Sequence, residues 1–394
     1  MSHALADPRL SQRAGLFPES VIREMTRHAL AHDAVNLAQG FPDWNPPAEV
    51  VAAAKEALDG PFNQYAITWG APALRKAIAE KMRWFNGVEV DPDQEIVVTC
   101  GATEAMMAIM LAIVNPGDEV IVFEPFYENY GPDATLSGAS LRFVPLHPSR
   151  GFRFDPEELK AAFSAKTKAI IVNTPANPAG TVFTREELQL IGDLCRQHKA
   201  FLVTDEIYEH ILYDGRKHVA PIGLPGLREH VIMVSGASKT YSMTGWRVAW
   251  VVAPPAVTAA IRRTHDFLTV GAPHPLQMGV ARALALPRGY YDKLASEYQA
   301  KREFLVGTLQ KAGFRASRPE GAYYVMADFS ALRPRAGMDD REFALWLVKD
   351  VGLAGVPASS FFSRKELGRD HVRFHFAKSM PTLEAAAARL AKLA

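Results

Sequence analysis

Cysteine is almost missing from this chain: Cys100 and Cys195 are the only two among 394 residues, and neither sits in a C-x-x-C pair. Two thiols cannot build a disulfide framework, so a reducing cytoplasm is the expected compartment. An excess of charge of one sign is missing too. Forty-four Lys and Arg against forty-three Asp and Glu leave a formal net charge of +1, which speaks against nucleic acid as a partner. Long hydrophobic runs are absent. The longest, Ala105 to Val114, has ten residues and follows Glu104, so it reads as a buried helix, too short to cross a membrane. Met1 to Ser11 is polar and lacks the apolar core of a secretory signal. No G-x-G occurs, which removes the dinucleotide fingerprint, and there is no internal repeat or low-complexity tract. His28 and His32 have metal-ligand spacing, but Ala29 stands where a zinc-protease helix has glutamate, so no metal is expected.

What remains is an ordinary globular composition, 48% hydrophobic, long enough for two or three domains. Through the middle of the chain, apolar runs alternate with helical segments. Glu95–Thr99, Glu119–Glu124, Ala169–Asn173, Phe201–Asp205, Val231–Ser235 and Val248–Val252 read as strands, and Thr103–Val114 as a helix. The strands are apolar throughout, as expected when both faces are covered. Thr184 and Glu187 form a capping box that opens a helix ending near His198. From about Tyr290 the pattern changes to a long amphipathic helix to about Lys311, a strand over Tyr323–Asp328 and a terminal helix from Thr382. The expectation is an α/β protein: a large domain over residues 46–288 with a mostly parallel sheet, and a smaller α+β domain from residues 1–45 and 289–394.

In open α/β sheets ligands bind at the carboxyl ends of the strands, and the polar residues of interest fall at such ends. Lys239 lies in Gly236-Ala237-Ser238-Lys239-Thr240, just past an apolar strand, with Gly245-Trp246-Arg247 following. Partial desolvation and the neighbouring Arg247 can lower its pKa enough for Schiff-base chemistry, and Arg247 can also grip a phosphate. Ser238 before the lysine rules out a phosphate-loop motif, which requires glycine there. Asp205 ends another strand, with Tyr208 three residues on. A carboxylate there can pair with a protonated pyridine nitrogen, although in isolation Asp205 reads more readily as a turn or cap residue and Tyr208 as core. Asn177 lies in a loop stiffened by Pro175 and Pro178. Cys100-Gly101-Ala102-Thr103 joins a strand to a helix whose free amides suit an anion. Tyr127 follows a strand and can stack on a ring, or simply pack. Arg373, within the alternating Val372–Phe376, suits bidentate capture of a carboxylate, or is a surface residue of an edge strand.

Together these segments resemble the class I pyridoxal-phosphate aminotransferases of fold type I, from Asn36-Leu37-Ala38-Gln39-Gly40-Phe41-Pro42 to Arg373. Within them the chain is most similar to the kynurenine aminotransferase and glutamine transaminase K group, through Asn63-Gln64-Tyr65, Glu124-Pro125-Phe126-Tyr127, Asn173-Thr174-Pro175 and Tyr213-Asp214-Gly215. The resemblance implies a seven-stranded large-domain sheet and pyridoxal 5'-phosphate as cofactor. Lys239 would be its Schiff-base lysine and proton shuttle, and Asp205 would pair with the ring nitrogen. Asn177 and Tyr208 would bond the ring oxygen, and Tyr127 would stack on the ring. Ala102, Thr103, Ser238 and Arg247 would surround the phosphate, while Gly40, Asn177 and Arg373 would hold the substrate carboxylate. Tyr65 would reach the phosphate of a neighbouring subunit, which implies a homodimer with shared active sites. One departure is Gly236, where many relatives carry a serine that touches the phosphate, unless Ser238 or Ser235 compensates. The segment Phe267–Pro273 offers no arginine for a distal carboxylate, and Val270 and Gly271 are small. The expected reaction therefore moves the amino group of a neutral L-amino acid (aromatic, methionine-like, glutamine-like or kynurenine-like) to a 2-oxo acid. A cysteine-conjugate β-lyase and an N-succinyl-diaminopimelate aminotransferase are the alternatives, the latter needing a cationic patch that the sequence does not place.

Overall fold

The computed structural model describes residues 7, 9–17, 19–332 and 337–393, so much of the polar N-terminal stretch, residues 1–6 and 8, lies outside the described residues. After a short strand β1 (Val35–Asn36), the chain lays down β2 (Ile96–Thr99), β3 (Glu119–Glu124), β4 (Ser140–Pro145), β5 (Thr167–Asn173), β6 (Phe201–Asp205), β7 (Val231–Gly236) and β8 (Ala249–Val252). The last seven form one sheet in the order β2-β8-β7-β6-β5-β3-β4. Pairs within the run β7-β6-β5-β3-β4 are parallel, whereas β8 is antiparallel to both of its neighbours. Hence β2, β3, β5, β6 and β7 all run the same way, and their carboxyl ends share one edge.

Successive side chains of a strand point to opposite faces, and here both faces are apolar because helices cover both. Ile170 and Val172 of β5 pack in a core with Leu188 and Ile191 of the helix Arg185–His198. Ala169 and Ile171 of the same strand face Ala105 and Ile109 of the helix Ala102–Ile113 in a second core. The Thr184–Glu187 capping box forms with both of its hydrogen bonds, so the helix starts where the sequence places it. β4 escaped the sequence reading because it is an edge strand: Ser140 and Arg142 are exposed while Val144 is buried, leaving no apolar run to see.

After the long helix Gly289–Lys311, the chain forms β9 (Arg315–Ala316), β10 (Tyr324–Asp328), β11 (Leu353–Ala354), β12 (Val356–Pro357) and β13 (His371–His375). A second sheet runs β12-β13-β10-β9, and β1 pairs with β11 in parallel. Arg373 lies between Met326 of β10 and Val356 of β12. Its face of the strand is as fully buried as that of Val372 and Phe374, which removes the reading of an exposed edge-strand arginine. The helix Val21–Ala31 packs against β11 and β12, joining the N-terminal segment to this sheet. Among the described residues no helix is long and apolar enough to cross a membrane.

Candidate active site

At the shared strand edge lies a cavity of about 430 Å³. Of the site residues expected from the sequence, Gly40, Ala102, Thr103, Tyr127, Asn177, Asp205, Tyr208, Ser238, Lys239, Arg247 and Arg373 all line it. Tyr65 does not. It is 85% exposed and takes no part in lining this chain's cavity.

Lys239 sits in the short helix Ala237–Thr240 directly after β7, and its ammonium donates to the Gly40 carbonyl at 3.2 Å. Burial, reinforced by the positive charges of Arg247 and Arg373 and opposed by Asp205, pulls its pKa down from 10.5 to about 8. An appreciable fraction of free amine is therefore present near neutral pH, as a nucleophile or base requires. Asp205 ends β6 and is buried. Burial raises its pKa, against a hydrogen bond from the Tyr130 hydroxyl (2.7 Å), one from the Ile207 amide (3.3 Å) and the charge of Lys239. Such a carboxylate is short of a cationic partner, and a protonated ring nitrogen supplies one.

The loop beyond β5 is fastened to the end of β6. Asn173 donates to the Asp205 carbonyl (2.8 Å) and accepts from the Asn177 amide (2.6 Å). Asn177 in turn accepts from the Arg373 guanidinium at 2.8 Å. The second Arg373 nitrogen donates to the Ala38 carbonyl (2.6 Å), and the guanidinium lies 4.5 Å from the Tyr324 ring and 4.8 Å from the Phe361 ring. Its Nε is buried without a partner among the described residues, and both bonded oxygens are neutral. A fully buried cation so placed is short of an anion. Tyr208 shares a hydrogen bond with Tyr324 (2.9 Å), and burial holds its hydroxyl well above the ordinary range, so it stays a proton donor.

At the other end of the cavity, the helix Ala102–Ile113 begins at Gly101 with no side-chain cap, leaving its first amides free. Gly101 has φ +86°, and the Arg247 guanidinium fills the space where a β-carbon would stand. Arg247 adopts a left-handed conformation itself (φ 56°) and donates to the Thr244 carbonyl at 3.1 Å. Uncapped amides, this guanidinium and Ser238 form a cup that suits a phosphate. The departure at Gly236 has a steric cause: a β-carbon there would lie 2.8 Å from the Ala249 β-carbon and 3.0 Å from Ile207. Of the two candidate serines for that contact, Ser235 donates to Glu209 (2.5 Å) and does not line the cavity, while Ser238 does.

Behind the cavity, Glu206 and Glu209 alternate with Asp205 and Tyr208. Glu206 accepts from Thr204 (2.6 Å) and contacts His218 (2.5 Å), while Glu209 pairs with the buried Lys81, so both carboxylates are spent in holding the turn. The sequence reading missed Tyr130, Tyr324 and Asp133. Tyr130 and Asp133 lie three apart on the short helix Tyr130–Leu136, a spacing that marks one helix face but names no chemistry. Asp133 is buried, its Oδ2 has no partner among the described residues, and burial pushes its pKa up to about 8.

A model of the family Aminotransferase class I and II matches residues 32–390. The human kynurenine–oxoglutarate transaminase 1 is 36% identical, with 94% of each chain covered. The methionine aminotransferase of Escherichia coli is 38% identical over 95% of this chain and 96% of its own. Among solved structures, the N-succinyldiaminopimelate aminotransferase of Mycobacterium tuberculosis superposes with a TM-score of 0.94 at 37% identity, covering 98% of this chain and all of the other.

Proposed function

The chain belongs to the class I and II aminotransferases, is a pyridoxal-phosphate enzyme of fold type I, and on that premise we propose that it takes neutral L-amino acids as donors. The observation that carries the reading is the placement of three groups in one cavity: Lys239 with its pKa near 8, the partner-poor carboxylate Asp205, and the anion-seeking Arg373.

When bound, the cofactor supplies an electron-withdrawing ring that accepts the electron pair released at the substrate Cα. Asp205 would keep the proton on the ring nitrogen, with Tyr130 orienting the carboxylate. Asn177 and Tyr208 would donate to the ring oxygen, Ala102, Thr103, Ser238 and Arg247 would hold the phosphate, and Tyr127 would cover the ring. Arg373, Asn177 and the Gly40 backbone orient the substrate carboxylate, which places the Cα proton at the Lys239 amine, and Lys239 carries that proton across. In this reading residues 46–288 hold the cofactor and residues 1–45 with 289–394 contribute Arg373 and Gly40.

The protein acts in the cytoplasm as a homodimer. Tyr65 (85% exposed), Phe267 (91%) and Val270 (45%) are exposed apolar side chains that favour burial against a second copy, and Tyr65 would complete the partner's phosphate cup. Neither Val270 nor Gly271 lines the cavity of the single chain, so their effect on donor choice is exerted across that interface. The test is a donor screen that follows conversion of bound cofactor to its amine form. Phenylalanine, methionine and glutamine should outrun aspartate, and the reverse order would sink the proposal.

A further inference from the structure

Tyr208 has one proton and two claims on it. Its hydroxyl lies 2.9 Å from that of Tyr324, and either oxygen of this pair can donate. Both tyrosines line the cavity, where the cofactor's ring oxygen is assigned to Tyr208. A phenol that gives its proton to the ring oxygen has none left for a neighbour, so the bond between the two tyrosines must then be donated by Tyr324. Tyr323 cannot take that part, because its own proton goes to the Gly40 carbonyl at 3.0 Å.

The surroundings of Tyr324 suit a donor. Burial raises the pKa of both hydroxyls, but the Arg373 guanidinium, 4.5 Å from the Tyr324 ring, pulls that of Tyr324 back. Tyr324 is therefore the more acidic of the two, and the more acidic hydroxyl is the better donor. Its position is also tightly fixed. Tyr324 opens β10 opposite His375 of β13, and its ring meets that of Tyr208 edge-on with centroids 5.8 Å apart. Its hydroxyl fills the space where a β-carbon on Gly40 would stand. The other charged and titratable groups about the pair are Lys239, Asp205, Arg373, Tyr127 and Tyr323, with His375 kept neutral by burial.

We propose that Tyr324 is a positioning residue whose hydroxyl donates to Tyr208 and so commits the Tyr208 proton to the cofactor's ring oxygen. The inference rests on the placing of Tyr208 at that oxygen. A hydroxyl that accepts one hydrogen bond donates a stronger one, because each bond in such a chain polarises the next. Tyr324 thus strengthens a contact to the cofactor that it does not itself make.

The test is a pH titration of cofactor-loaded wild type, Tyr324→Phe, Tyr208→Phe and the double variant, with no substrate present. Absorbance reports the loss of the proton from the nitrogen that joins Lys239 to the cofactor. Hydrogen bonds donated to the ring oxygen draw charge from it and ease that loss. Tyr324→Phe keeps the ring beside Arg373 and removes one oxygen atom, so it should raise the midpoint by roughly 0.3 to 1 unit, and Tyr208→Phe by more. The double variant should go no further than Tyr208→Phe alone, because Tyr324 acts through Tyr208. Far-ultraviolet circular dichroism verifies the fold of each variant. No shift or a downward shift in Tyr324→Phe, or an equal further shift on top of Tyr208→Phe, overturns the proposal. A Tyr208→Phe midpoint equal to that of the wild type overturns the placing of Tyr208 at the ring oxygen, and the inference falls with it.

Discussion

Lys239 is held under a measurable penalty. Moving its pKa from 10.5 to about 8 means that burial and the adjacent guanidiniums disfavour the charged form, at about 1.4 kcal/mol for each tenfold change in proton affinity, or roughly 3 kcal/mol in all. That is a ceiling, because water at the cavity mouth screens part of it. The sign follows from a folded-state pKa that lies below the unfolded one. The penalty is full below pH 8, where lysine is charged in both states. It shrinks between about 8 and 10.5, where only the unfolded chain holds the proton, and vanishes above that. Lys239→Met removes the charge and keeps most of the volume, at the loss of one hydrogen bond to Gly40 worth about 1 kcal/mol. In cofactor-free protein the variant should be more stable than wild type by about 2 kcal/mol at pH 7, and the advantage should disappear by pH 10. Urea denaturation of both forms at pH 7 and pH 10 measures this. A variant less stable at pH 7, or a difference independent of pH, would refute the claim that Lys239 is poised by its surroundings.

Tyr130→Phe removes the strongest hydrogen bond to Asp205 and raises the carboxyl pKa further; kcat should fall about tenfold, with the low-pH limb of its profile moving up, and an unmoved limb counts against the role. Gly101→Ala must adopt φ +86° and displace Arg247, so cofactor binding should weaken by roughly 1–3 kcal/mol in a titration of the apoenzyme; unchanged affinity would mean the phosphate sits elsewhere. Arg373→Ala should reduce kcat/KM for amino acids by about 2 to 4 kcal/mol, chiefly through KM, and an unaltered value would assign the carboxylate to another residue.

What was readable in the sequence follows from what each signal encodes. Fully buried strands announce themselves as apolar runs, so β3, β5, β6 and β7 were legible, and a capping box marks a helix start by local chemistry. The edge strand β4 was not, since alternating exposure leaves a mixed pattern. Nor was the reversed direction of β8, because chain direction in a sheet is fixed by connections rather than by composition. The site residues on strand ends and stiff turns were found because their positions restrict what they can do. Tyr130 and Tyr324 gain their roles only from neighbours distant in sequence: Tyr130 from Asp205, and Tyr324 from Tyr208 and Arg373.

The most direct test of the central claim is a stoichiometric half-reaction. Cofactor-loaded protein is mixed with methionine in the absence of any oxo acid, and the amine form of the cofactor, the released oxo acid and ammonia are counted. One amine-form cofactor and one oxo acid per active site, reversed on adding an acceptor and absent in Lys239→Ala, is the predicted result. Ammonia released without conversion of the cofactor, or full conversion in Lys239→Ala, would contradict it.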